Sequence, residues 1–146
     1  MRESSRLDLC NCFATRQAAR HITRLYEKHL AEADVTSAQF SILVALDEKR
    51  RASMSEMADA LVMDRTTLLR AVKPLQRDGF VMAKRGDGEG DPRQVSFSLT
   101  AAGRNKLKAA MTHWMSAQQE FEAQVGPTRA ARMRSDLLAL ELPATL

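Results

Sequence analysis

The stretch "MDRTTLLRAVKPLQRDGF", residues 63–80, decides the fold. Read at helical spacing it has two faces. Leu68, Val72 and Leu75 share one side, and Thr66, Arg70, Lys73 and Arg77 fall at i, i+4, i+7 and i+11 on the other. Asp64 stands where an N-cap accepts the free N–H groups of a first turn, and Gly79 stands where a helix ends. Pro74 lies inside; it removes the bond to the Arg70 carbonyl and predicts a kink. A helix made only for packing needs neither the basic row nor the proline.

Immediately upstream, "SMSEMADAL" begins with Ser53 and places Glu56 three residues on, a capping box. Met54, Met57, Ala58 and Leu61 then repeat at i, i+3, i+4 and i+7. Two short helices across a tight turn form a helix-turn-helix. Downstream the period changes to two. "FVMAKR" and "RQVSFSLT" read as strands, the second with Val95, Phe97 and Leu99 alternating against Gln94, Ser96 and Ser98. The intervening "GDGEGDP" is a turn-forming tip, so the pair is a hairpin beside the helices. The whole is a winged helix-turn-helix.

Long helices flank this unit. Residues 6–32 read as one amphipathic helix, with Leu7, Cys10, Ala14, Ala18, Ile22, Leu25 and Leu30 on its apolar side and Arg16, Arg20 and Arg24 beside them. "ADVTSAQFSILVAL" starts a second through Thr36 and Gln39 and buries Phe40, Leu43 and Val44. Thr100 caps a helix over 101–124 with Leu107, Met111, Trp114 or Met115, Gln118 and Phe121 on one side. Gly126 and Pro127 restart a last helix through "TRAARMRSDLLALEL". The expected fold class is mainly α with a small β-hairpin wing. The expected division is 1–34 for a dimerising N-terminal helix, 35–100 for the winged domain and 101–146 for C-terminal dimerising helices.

Composition narrows the function. The 146 residues, 45% hydrophobic and 27% charged, suit one soluble domain, alone or with an oligomerisation element. Lys+Arg 22 against Asp+Glu 18 gives a net charge of +4, which favours an anionic partner where it is clustered, as on the row above. The opening residues lack the apolar core of a signal peptide, and no run approaches the roughly 18 apolar residues of a membrane span. The cytoplasm is therefore the expected compartment, with no membrane partner.

Enzyme signatures are missing. There is no G-x-S-x-G, P-loop or G-x-G-x-x-G, and His21, His29 and His113 have no ligand-spaced companions, so neither catalysis, a metal nor a cofactor is expected. The "DGEGD" tip is a poor Ca²⁺ loop: Pro92 stands at the sixth position and Ser98 at the twelfth. Cys10 and Cys12 are too close along one element to bridge easily, and they read as small apolar packing residues.

A basic row on a helix that follows a capped helix and precedes a hairpin suits the major groove of double-stranded DNA, with the threonine-bearing helix start facing phosphate. The run "L…A…L…D.TT…R.V..L…GFV", the wing's Asp91-x-Arg93 and "LTAAG" together resemble the MarR family of bacterial transcriptional regulators. The outer helices are similarly placed. The resemblance implies a homodimer whose first and last helices interleave, and two winged domains that read a pseudo-palindromic operator. It also implies release by a small ligand held between the dimerising and DNA-binding regions, often an aromatic acid or phenol. Its DNA-facing set is Ser53, Ser55, Arg65, Thr66, Thr67, Arg70, Lys73, Lys84, Arg85, Asp91 and Arg93. In the family the wing aspartate pairs with the wing arginine, which enters the minor groove. Asp87 and Glu89 should hold this tip off the phosphates. The effector-facing set is Phe13, Arg16, Arg20, His21, Tyr26 and Phe40.

The first helix also resembles the organic-peroxide-sensing branch of the family, with Cys12 at the oxidised position and Tyr26 matching a tyrosine that contacts the thiol. Arg16 stands where that branch has a second tyrosine. Three readings thus follow: a ligand-released repressor, a thiol-based oxidant sensor, and an architectural DNA-binding protein without effector.

Overall fold

Side chains reaching three residues along the chain set most helix boundaries. The computed structural model describes residues 5–86 and 91–142. Its helices are α1 (Asn11–Leu30), α2 (Ser37–Lys49), α3 (Met54–Leu61), α4 (Arg65–Arg77), α5 (Ala101–Val125) and α6 (Pro127–Leu138); its strands are β1 (Ala52–Ser53), β2 (Val81–Arg85) and β3 (Val95–Leu99). Thr36 accepts the Gln39 N–H at 3.1 Å while Gln39 reaches back to the Thr36 N–H at 3.1 Å. Ser53 and Glu56 do the same at 3.1 and 2.8 Å. Both boxes predicted from sequence are present, and Thr100 caps α5 through Gly103 N–H at 3.0 Å.

The first helix departs from expectation. Instead of one helix over 6–32, a 3₁₀ turn spans Arg6–Leu9, α1 follows, and a second 3₁₀ turn spans Ala31–Ala33. The cause is local. Ser5 and Asp8 close a capping box of their own, and Cys10 is extended (φ −92°, ψ 111°) so that its sulfur accepts the Phe13 N–H at 3.4 Å. Such side-chain bonds compete with the helical ladder. Cys10 and Cys12 are both exposed, so they do not pack as core residues within the chain.

The core lies around α2, which is apolar on several sides: Phe40, Ile42, Leu43, Ala45 and Leu46 are all buried. Met57 of α3 and Leu68, Val72 and Leu75 of α4 close over it, with Phe97, Leu99 and Leu107 on the far side. Glu27 of α1 holds the start of α2 by accepting the Ser37 N–H at 2.8 Å and its hydroxyl at 2.6 Å. Glu120 of α5 meets Lys28 at 3.3 Å and also contacts the His29 ring. The bonds from His29 and then Lys28 hold the Glu120 carboxyl below its ordinary range.

The sheet has the order β1-β3-β2, antiparallel throughout, with Val81 opposite Leu99 and Ala83 opposite Phe97. The two-residue β1, pairing Ala52 with Phe97, is an addition to the expected hairpin. The start of α5 lies hard against the turn between α4 and β2. The Thr100 hydroxyl donates to the Gly79 carbonyl at 2.6 Å and the Thr100 N–H to Phe80 at 3.1 Å. Gly103 completes this seat, because a Cβ there would lie 2.0 Å from the Phe80 carbonyl oxygen.

Candidate nucleic-acid interface

The recognition element is α4, and its geometry follows from its two faces. Leu68, Val72 and Leu75 are buried, while Thr66, Arg70, Lys73 and Arg77 are all exposed. At about 100° per residue the four polar positions centre opposite the buried three. The helix is continuous through Pro74. It ends in a Schellman motif in which Phe80 N–H donates to the Leu75 carbonyl at 2.8 Å and Gly79 N–H to Gln76 at 3.1 Å, with Gly79 at φ +81°.

At its start, Asp64 accepts the Thr67 N–H at 2.8 Å and the Thr67 hydroxyl at 2.7 Å. Those bonds hold the Asp64 carboxyl below its ordinary range, the hydroxyl bond contributing most. Both threonines are exposed, but Thr67 spends its hydroxyl proton on the cap, and Thr66 is the one on the polar row with Arg70. Ser53, at 7% exposure, is likewise occupied by its capping box and does not join the exposed set. Ser55 does, and its hydroxyl accepts from the Arg65 guanidinium, tying α3 to α4 at the outer surface. Arg77 is partly answered by Asp78 at 3.3 Å, so Arg70 and Lys73 are the central cations of the row.

The wing carries the remaining cations. Lys84 and Arg85 are exposed on β2. Asp91 accepts the backbone N–H of Arg93 at 2.9 Å, and Gln94 N–H returns to the Asp91 carbonyl at 2.9 Å, an Asp-Pro turn that presents the Arg93 side chain to solvent. The contact between Asp91 and Arg93 thus runs through the backbone. Asp87 and Glu89 lie outside the described residues.

The six residues expected to face an effector are not gathered in one chain. Phe13 and His21 line a shallow hollow with Leu7 and Ala14 at the start of α1. Tyr26 lines another between α1, α5 and α6, donates its hydroxyl proton to Gln118, and has its pKa raised by burial and then by the Glu122 charge, with Arg134 opposing. Arg16 and Arg20 are exposed and line neither. Cys12 and Tyr26 stand about 21 Å apart along α1, so they cannot touch within one chain.

Phe40 alone lines a larger hollow of about 500 Å³, between α2, α3 and α5. Val44, Leu61, Met111 and Trp114 complete its apolar wall, with Glu48 and Lys49 also lining it. Phe40 and Trp114 stack there, centroids 6.1 Å apart and planes 19° from parallel. Of this lining the sequence pointed only to Phe40, because the wall comes from three helices and each of the other residues alone looks like core. Among the described residues no group of His, Cys, Asp and Glu could hold a metal, and no helix is long and apolar enough to cross a membrane.

Comparison with known proteins agrees with this geometry. Residues 35–95 match the family model of the MarR family. The chain is 37% identical over 105 residues to the HTH-type transcriptional regulator TtmR of Methylorubrum extorquens, covering 72% of this chain and 52% of TtmR. It thus spans about half the length of that relative. The M. tuberculosis transcriptional regulator MosR, crystallised in complex with DNA, is 36% identical with a TM-score of 0.77, covering 88% of this chain and 91% of MosR. A mutant MarR from E. coli, complexed with operator DNA, shares the fold at 20% identity and a TM-score of 0.80, over 92% and 96% of the two chains.

Proposed function

The chain belongs to the MarR family, and from that premise we propose that it is a dimeric, cytoplasmic repressor that binds a pseudo-palindromic operator and is released by a small ligand. One observation carries the DNA-binding part. The exposed row Thr66, Arg70, Lys73 and Arg77 runs along a helix whose other face is locked into the core, beside a basic wing. A helix so held can lie in a major groove with its cations toward base edges and phosphates, while Arg93 approaches the adjacent backbone.

Arg70→Ala should weaken binding to a selected duplex by about 1–3 kcal/mol and relax base preference. Titrations on the selected duplex and on random sequence check this. Equal losses on both would reduce Arg70 to a phosphate contact and remove it from sequence reading.

Dimerisation rests on the outer helices. Leu7, Leu9, Leu137, Leu138, Leu140 and Leu142 are exposed at the two ends of the chain, and a second copy would cover them. Twofold pairing would set the two α4 helices about 34–36 Å apart, one turn of the duplex. The hollow at Phe40 and Trp114 suits a flat aromatic ligand. It touches α2, α3 and α5 together, so a ligand that fits only one spacing of these helices shifts the protein toward that spacing.

Oxidation is a second reading, favoured by the exposure of Cys12 in the first turn of α1. Peroxide should leave operator binding intact in both the wild type and Cys12→Ser. Loss of binding in the wild type alone would put the thiol in the ligand's place.

A further inference from the structure

The helix-turn-helix contains the same capping motif twice, with different residues at its left-handed position. At the end of α4 that residue is Gly79. At the end of α3, Met63 N–H donates to the Ala58 carbonyl at 3.0 Å and Val62 N–H to Asp59 at 3.3 Å, the same bond pair, and the left-handed residue is Val62 (φ 51°, ψ 50°). A third helical end uses Asp34 at φ 52°, a type that tolerates the region. A β-branched side chain does not, since its Cβ crowds the following carbonyl. Glycine would make both backbone bonds without that crowding.

Nothing inside the chain uses the valine side chain. Val62 is 91% exposed, the most exposed large hydrophobic among the described residues, and it is absent from the core and its margin. Yet its place is not neutral. It lies two residues before the Asp64 cap and four before Thr66, at the end of α4 that leads into a groove. At this corner Ser55, Arg65 and Thr66 are the groups that suit phosphate, whereas a pair of methyls suits the sugar edges and base methyl groups.

We propose that Val62 is a DNA-contacting residue, an apolar tip at the turn that seats against a deoxyribose or a thymine methyl where α4 enters the groove. This rests on the DNA-binding reading above. Its strained backbone is retained because the contact is made only in the complex.

The test uses the full-length protein and duplexes selected by the wild type from a random-sequence pool. Val62→Gly should raise the melting temperature by about 2–5 °C yet weaken binding roughly fivefold, with the salt dependence unchanged because no phosphate contact is lost. Val62→Ala, which keeps the left-handed strain and the stiffness of the turn, should lose the same affinity. Loss in the glycine variant alone would assign the effect to turn stiffness and overturn the contact. Full affinity in both variants would overturn it too. Arg70→Ala separates the Val62 contact from DNA binding as such: if Arg70→Ala weakens binding while both Val62 variants bind fully, only the Val62 contact falls, whereas a wild type that enriches no duplex removes the DNA-binding reading itself.

Discussion

Gly103→Ala should destabilise the fold by about 3 kcal/mol or more, or prevent folding altogether. The added Cβ would meet the Phe80 carbonyl oxygen at 2.0 Å, and that oxygen is backbone that cannot rotate away. Relief requires lifting the start of α5 from the turn between α4 and β2. The lift would stretch the Thr100 bonds to Gly79 and Phe80, at 2.6 and 3.1 Å, which fix the wing to that helix. Thermal and urea melts read the effect. A variant melting within about 2 °C of the wild type would mean that the helix slides freely on the sheet, contrary to the seat described.

Ending the chain after Val125 should abolish dimerisation and lower operator affinity by about 10²- to 10³-fold. Two linked winged domains bind as one bivalent unit, and separated domains lose the high effective concentration of the second contact. Within the chain the removed segment contributes little to the main core; Ala130 is its one buried residue among those described. The truncated protein should therefore keep its winged domain, visible as a cooperative melt, while sedimenting as a monomer. A truncated chain that still sediments as a dimer would move the interface off the C-terminal helices.

What could be read from the sequence was local. A cap works over three residues, so Thr36, Ser53, Asp64 and Thr100 announced their helices, and the alternation of Val95, Phe97 and Leu99 announced a strand. The basic row was legible for the same reason, because Leu68, Val72 and Leu75 fix which way α4 turns. Distance along the chain hid the rest. The strand Ala52–Ser53 exists only through its pairing with Phe97 and Ser96. Ser53 and Thr67 carry hydroxyls that suit either a cap or a phosphate, and only the observed bonds decide for the cap. Phe13, Arg16, Arg20, His21 and Tyr26 are strung along one rod, so within one chain they form no shared concave wall, which needs several elements.

The seat of α5 on the wing also makes that helix a mechanical arm. It runs about 30 Å from the bonds at Thr100 to Glu120, which grips α1 toward the helix's far end. A tilt of roughly 5° about the far end carries the near end through about 3 Å, close to the 3.4 Å rise of one base pair. The winged domain, bolted to the near end, travels with it. In the proposed dimer, a change of a few degrees among the outer helices is therefore enough to put two recognition helices out of step with successive turns of a duplex, with no rearrangement inside either domain.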